Sequence, residues 1–209
     1  MADRDLVRLG RFPERGSHEF AAIAAILDEA LVCHVGVSVR GQPVVLPTTF
    51  ARRDRHLYIH GSTVARWMGA LTSAPLCLTV SILDAIVLAR SAYNHTLNYR
   101  SVVVFGQAER VTDAQERRRA LEAIVEHVCP GRSSDTRPPS AKELKATSVL
   151  RIDLATASAK TREGPPVDFD EDYGKGIWAG VIPVRTVRGS PIPDARLEAG
   201  VGLPYYLGR

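Results

Sequence analysis

Apolar positions along the chain change period several times. Phe20, Ile23, Ala24, Leu27 and Leu31 recur at helical spacing behind Ser17, a residue type suited to cap the helix. From Val35 the period shortens to two: Val35, Val37 and Val39 alternate with Gly36 and Ser38, the pattern of a half-buried strand. Arg40-Gly41-Gln42-Pro43 is a turn signal, and a second strand is expected over 44–50. Arg53-Asp54-Arg55 makes another turn before a third strand, 57–60. Gly61-Ser62-Thr63 interrupts it, and 65–73 reads as a short helix.

Pro75 precedes an apolar strand, 76–83, and Asp84-Ala85 is expected to turn it into a short strand, 86–89. After a polar stretch, 100–111 reads as a long strand with Gly106 inside it, where glycine often marks a bulge. Asp113 with Glu116 and Ser140 with Glu143 have the spacing of capping boxes for two later helices. The first of these helices carries Ala120, Leu121, Ile124, Val125 and Val128 on one face. A Pro/Gly/Ser-rich loop, 129–139, separates the two, and 149–154 is a further strand. The last fifty residues hold Gly164-Pro165-Pro166, acidic residues at 168–172, an apolar stretch at 177–184 and a Gly/Pro-rich tail. Five to seven antiparallel-looking strands with a few helices predict a mainly β barrel of the α+β kind. Strands and long helices do not alternate regularly, which argues against a doubly wound parallel sheet. No repeat or composition break divides the chain, so a single domain is expected.

At 209 residues and 45% hydrophobic, the chain can bury a full core. No run approaches the roughly 18 apolar residues of a membrane span, and Met1 to Arg15 is charged without an apolar signal core. The three cysteines, Cys33, Cys77 and Cys129, are widely spaced and form no CxxC pair, which speaks against a disulfide framework or zinc ribbon. A cytoplasmic protein is expected. The net charge of +4 is small and comes from 27 basic residues against 23 acidic ones. With so small an excess, and with Arg117-Arg118-Arg119 in a helical pattern, a solvated face is favoured over a nucleic-acid surface.

The chemistry concentrates in a few places. In Leu57-Tyr58-Ile59-His60-Gly61-Ser62-Thr63-Val64-Ala65-Arg66-Trp67 a strand ends, a small polar turn follows, and a helix opens with an arginine. Unpaired N–H groups at a helix start, with the helix dipole, favour a phosphate. Ser62 and Thr63 add hydroxyls and Arg66 a charged fork; a capped helix with a surface arginine is the competing reading. His56 and His60 are four apart, which on a strand is about 13 Å, too far to share one ion. No metal site is expected. Pro47-Thr48-Thr49-Phe50 closes the second strand, and its hydroxyls and amides can read a planar heterocycle, although β-branched residues are ordinary in strands. The segment 92–101 holds two Tyr, two Asn, one His and one Arg, suiting a ligand rim or a subunit interface. Dinucleotide, P-loop and GxSxG signatures are absent. Cys33 and His34 are adjacent on a strand and point to opposite faces.

These blocks, in this order, resemble the flavin-nucleotide-binding and nitroimidazole-resistance branch of the pyridoxamine 5'-phosphate oxidase-like split barrels. The resemblance rests on Gly41-Gln42-Pro43-Val44-Val45-Leu46-Pro47-Thr48, Leu57-Tyr58-Ile59-His60-Gly61-Ser62, Arg66-Trp67 and Tyr99-Arg100-Ser101-Val102-Val103-Val104-Phe105-Gly106, with Trp178-Ala179-Gly180-Val181-Ile182-Pro183 further on. It implies a six-stranded antiparallel Greek-key split β-barrel with peripheral helices, forming a homodimer with FMN at the interface. The core would run over about 17–160, and 161–209 would be an extension packing on the barrel or the partner. The resemblance implies that Ser62, Thr63, Arg66 and Trp67 form the phosphate turn and that Pro47, Thr48 and Thr49 lie along the flavin ring. His60 would stand near the flavin as the candidate catalytic residue. Tyr99, Arg100 and Ser101 would complete the site from the partner. Many members carry a second basic residue at the phosphate turn; here Arg66 stands alone. The arginine/lysine pattern of a vitamin B6 oxidase site is not recognisable.

The function so implied is that of an FMN-dependent oxidoreductase acting on a small organic molecule, with a nicotinamide electron donor. The alternatives are a non-catalytic flavin-sequestering protein, motivated by the lack of an acid–base pair beyond His60, and a related barrel holding deazaflavin or haem. His60 or His95 would then be the haem ligand.

Overall fold

The structure is a computed structural model describing residues 6–8 and 10–208. Met1 to Asp5, the start of the charged segment considered above for a signal core, lie outside the described residues. No helix among the described residues is long and apolar enough to cross a membrane.

Among the described residues ten strands make one antiparallel sheet: β1 (Gly16–Ser17), β2 (Val32–Val39), β3 (Gln42–Arg53), β4 (His56–Ser62), β5 (Leu76–Leu88), β6 (Thr96–Gly106), β7 (Glu109–Arg110), β8 (Thr147–Asp153), β9 (Ala157–Arg162) and β10 (Gly180–Pro183). The order is β1-β9-β6-β5-β2-β3-β4-β8-β7, and β10 pairs with β5. The helices are α1 (Phe20–Glu29), α2 (Arg66–Ser73), α3 (Ala114–Val128) and α4 (Ala141–Ala146). The mainly β antiparallel architecture agrees with expectation. Six strands is an undercount, because seven of these ten are six residues or longer.

Alternation decides which side of each strand is inside. Val35 and Val37 of β2, Phe50 of β3, Leu57 and Ile59 of β4, Leu78 and Val80 of β5 and Val102 and Val104 of β6 meet in one buried cluster. The opposite face of the β3–β4–β8 half is covered by α3. There Ala51, Tyr58 and Val149 pack against Ala120 and Ile124. α3 opens on Asp113, whose carboxylate accepts from Glu116 N–H at 2.7 Å. Ser140 and Glu143 form a complete capping box on α4.

Several expectations change. The strand expected over 100–111 is divided, β6 ending at Gly106 and β7 taking Glu109–Arg110, and the Glu116 carboxylate accepts from Tyr58 and Arg151 instead of closing a box on Asp113. Ser17 lies in β1, and its hydroxyl accepts from Glu19 N–H at 3.1 Å; α1 starts at Phe20 without a side-chain cap. α1 ends at Glu29, leaving Leu31 outside and exposed. Asp84-Ala85 does not turn the chain. β5 runs through it, with the register shifting between Leu83 and Ala85. On one edge of β5, β2 pairs with 76–79 and β10 with 85–88, so a bulge changes partners where a turn was expected. The extension is tied to its own barrel through β10. Asp168 adds a second tie: its carboxylate accepts from the Arg90 and Ser91 N–H groups and from the Arg90 guanidinium.

Candidate functional site

β4 leads into the site because its two faces meet different surroundings. Leu57 and Ile59 face the barrel core, while Tyr58 faces α3. His60, two residues on, shares the α3 side. It pairs with Val149 of β8 in the ladder. Gly61 follows because α2 folds back closely: a Cβ there would stand 3.0 Å from Met68 Sδ and 3.3 Å from Trp67 Cζ2. Thr63 N–H is held by the Ala146 carbonyl and Ala65 N–H by the Ser62 carbonyl, each at 3.0 Å. α2 then begins without a side-chain cap; Met68 N–H turns back to the Ala65 carbonyl at 3.1 Å, while the N–H groups of Arg66 and Trp67, at the first two helical positions, have no intrahelical acceptor. Ser62, Thr63 and Arg66 are exposed around this turn. Among the described residues Arg66 makes no ion pair. The turn thus has the donors an oxyanion needs. Trp67 is not among them: it is half-buried, packs on the core and covers Gly61.

His60 lines a cavity of about 710 Å³ between β4, α3, the 133–139 loop and α4. Leu121, Ile124, Val125, Pro138 and Pro139 give it apolar walls, and Arg118, Arg137, Glu122 and Glu143 give it charge. Arg137 is paired with Glu143 at 2.6 Å. The Nδ1 atom of His60 is shut off from solvent and has no hydrogen-bond partner. Burial pushes the His60 pKa down, so the imidazole is neutral near pH 7. An unpaired buried nitrogen costs free energy unless something meets it.

The other expected residues separate. Pro47 and Thr49 lie on the outer face of β3, but Thr48 alternates to the core side, opposite buried Cys33, and its hydroxyl donates to the Thr49 carbonyl. Tyr99 and Ser101 lie on the outer face of β6. Crossing the sheet, Pro47 pairs with His34, His34 with Thr79 and Thr79 with Val103. Three strand spacings, about 14 Å, therefore separate β3 from β6. Arg100 alternates to the other side. It is engaged by Asp84 and Glu29, with Nη2 2.7 Å from Asp84 Oδ1 and 2.8 Å from Glu29 Oε1. His95 is exposed, with Nδ1 2.8 Å from the Ser91 carbonyl, and does not line the His60 cavity.

The outer face of β2, β3 and β5 carries apolar side chains that stay exposed among the described residues. Val45 is 64% exposed, Val32 45% and Leu83 41%. Beside it a groove of about 970 Å³ runs between His34, Ser81 and Leu83 on one wall and Val184, Arg185 and Val187 on the other. Sequence reasoning missed the α3 and loop side of the His60 cavity. Arg118 was read as part of a solvated face and 129–139 as plain loop. The available signal was Pro138-Pro139 beside the Ser140 capping box, which directs that loop back toward β8.

Comparisons with known proteins agree with this architecture. The family model for pyridoxamine 5'-phosphate oxidase matches residues 19–161. The flavocytochrome Anf3 from Azotobacter vinelandii is 40% identical, with a TM-score of 0.94, covering 99% of this chain and 97% of that one. The FAD and haem binding protein from Mycobacterium smegmatis is 36% identical, with a TM-score of 0.88, covering 93% and 96%. A putative 5-nitroimidazole antibiotic resistance protein from Bacteroides thetaiotaomicron shares the fold, at 22% identity and a TM-score of 0.59 over 69% of this chain and 85% of that one. No curated protein matches the chain. The match over more than half the chain, with the sheet order and the strand-to-helix turn after β4, makes this protein a member of the pyridoxamine 5'-phosphate oxidase-like split-barrel family.

Proposed function

We propose that the protein is a homodimeric flavohaemoprotein of oxidoreductase type. A flavin nucleotide is held at the 62–66 turn and the outer face of β3, and haem is held in the His60 cavity. The observation that carries this reading is His60: an imidazole that burial keeps neutral, at a partly apolar cavity of about 710 Å³, room enough for a porphyrin. The flavocytochrome and the FAD and haem binding protein, both above 35% identity over nine-tenths of this chain, support it.

Each residue then has a task. Ser62, Thr63, Arg66 and the first N–H groups of α2 hold the flavin phosphate. Pro47 and Thr49 border the ring. Thr49 and His60 flank Phe50–Ile59, the last pair of the β3–β4 ladder, so the two binding regions adjoin along one pair of strands. His60 would hold the haem iron through its imidazole, Leu121, Ile124, Val125 and the two prolines would exclude water, and Arg118 would offer a charge for a carboxylate at the cavity. When bound, a flavin supplies one- and two-electron transfer and a haem one-electron transfer, with a nicotinamide donor or a small organic molecule as the outside partner. FMN is the flavin implied by the sequence resemblance; the M. smegmatis relative brings FAD into the same reading, since both present a phosphate to the turn. Tyr99 and Ser101 cannot reach Pro47 within one copy, and the open apolar face of β2, β3 and β5 fits a second copy that brings them together. Three free cysteines suit a reducing, cytoplasmic setting.

The test is the absorption spectrum of purified protein, with the extracted cofactors identified by mass. Flavin bands and a Soret band are expected. His60→Ala should lose the Soret band and keep the flavin bands. Protein that takes up neither added flavin nor added haemin overturns the reading, and unchanged haem binding in His60→Ala removes His60 from it.

A further inference from the structure

The loop that walls the His60 cavity is gripped from both sides. From within, the Glu126 carboxylate of α3 accepts from Gly131 N–H and Ser133 N–H, each at 2.7 Å. From outside, the C-terminal turn Tyr205–Leu207 docks on it. The Tyr206 ring lies against Gly131, where a Cβ would come within 3.2 Å of ring carbons and where φ is +88°. The Tyr206 hydroxyl donates to Asp135 Oδ2 at 2.8 Å and accepts from Arg132 Nη1 at 3.1 Å. The same loop contributes Ser133, Thr136, Pro138 and Pro139 to the cavity wall.

The chain that leads to Tyr206 is weakly attached. Residues 189–203 are exposed throughout. Their backbone hydrogen bonds among the described residues are local, Leu197 N–H to the Asp194 carbonyl and Val201 N–H to the Glu198 carbonyl. Upstream, the Arg188 guanidinium donates to the Val128 carbonyl at the end of α3. The segment is therefore a strap tied at its ends. Keeping such an exposed stretch ordered costs conformational entropy that its own contacts do little to offset. The far tie, at Tyr206, carries that burden.

We propose that Tyr206 is the fastening point of this strap, holding the 130–139 loop down on the cavity, so that its release governs entry to His60. The planar group that release would admit is haem, and this part rests on the reading of the cavity given above. The Tyr206 share of the fastening, a ring contact and two exposed hydrogen bonds, is weak enough to open reversibly, and the Glu126 tie keeps the opened loop attached to α3.

The test uses full-length apoprotein and acylation by diethyl pyrocarbonate, followed residue by residue by peptide mass spectrometry. His95, exposed and remote from the cavity, is the internal reference. In the wild type His60 should react far more slowly than His95. Tyr206→Phe keeps the ring and loses the hydroxyl, and should raise the His60-to-His95 rate ratio roughly two- to tenfold. Tyr206→Ala should raise it further. Haemin association, followed by stopped flow, should quicken in the same order. An unchanged acylation ratio in both variants overturns the strap. If the ratio rises while haemin never binds, the strap stands and the haem reading falls. If haemin binds and the ratio stays flat, the reverse holds.

Discussion

Arg100 and Asp84 face each other where β5 bulges, joined by two hydrogen bonds of 3.0 and 2.7 Å. The bulge breaks the register between Leu83 and Ala85, and the Arg100 fork spans it while also holding Glu29 at the end of α1. The arginine that the sequence placed at a ligand is thus a brace between β5, β6 and α1. Arg100→Ala should lower stability by about 1–2 kcal/mol, the pair being partly exposed, and should leave flavin affinity unchanged. Urea unfolding and a fluorescence titration with flavin separate the two effects.

The same brace has a pH signature. The Arg100 hydrogen bonds hold the Glu29 carboxyl below its ordinary range. A depressed carboxylate stabilises the fold above its unfolded pKa, near 4.5, and that contribution fades as pH falls through the lowered folded value. Glu29→Gln should therefore flatten the acid limb of a stability–pH curve below about pH 5, with little change in its slope near neutrality.

His60 shifts the balance at higher pH. Its folded pKa lies below the ordinary 6.5 because burial disfavours the cation. The unfolded chain then binds the proton more readily, so His60 costs stability as pH drops below about 6.5. His60→Gln should lose less stability between pH 7 and 5 than the wild type, measured by denaturant midpoints. An NMR titration of the His60 ring should show a midpoint below 6.5.

Gly61 is held by packing alone. A methyl there meets Met68 Sδ at 3.0 Å and Cγ at 3.1 Å, and Met68 is 1% exposed. Gly61→Ala should cost about 1–3 kcal/mol. In a Met68→Ala background most of that cost should vanish, a coupling that a double-mutant cycle reads directly.

Arg66 offers the contrasting case. It is exposed and unpaired among the described residues, so Arg66→Ala should leave the melting temperature unchanged. It should weaken flavin binding by about 1.5–3 kcal/mol if the guanidinium meets the phosphate. Unchanged affinity would return Arg66 to a plain surface role.

Local pattern carried most of the secondary structure and part of the site. The alternation at Val35, Val37 and Val39, the turn at Arg40-Gly41 and the caps at Asp113 and Ser140 are short-range signals, and all appear in the fold. The turn from His60 to Arg66 was legible for the same reason, since one continuous segment holds strand end, hydroxyls and helix start. Asp84 was misread because a turn and a bulge use the same polar residue. Only the partner strands, β2 before it and β10 after it, distinguish them.

What the chain's order of residues decides, then, is period, caps and the chemistry of a single segment, because those interactions reach only a few residues. Which way Thr48 and Arg100 point follows from register across the sheet. That Pro47 and Tyr99 share a face yet stand three strands apart follows from strand order. The enclosure of His60 depends on α3 and the 133–139 loop, more than fifty residues further along, and the hold on that loop depends on Tyr206 at the far end of the chain. These are long-range contacts, settled by which surfaces bury together, and no local pattern of residues encodes them.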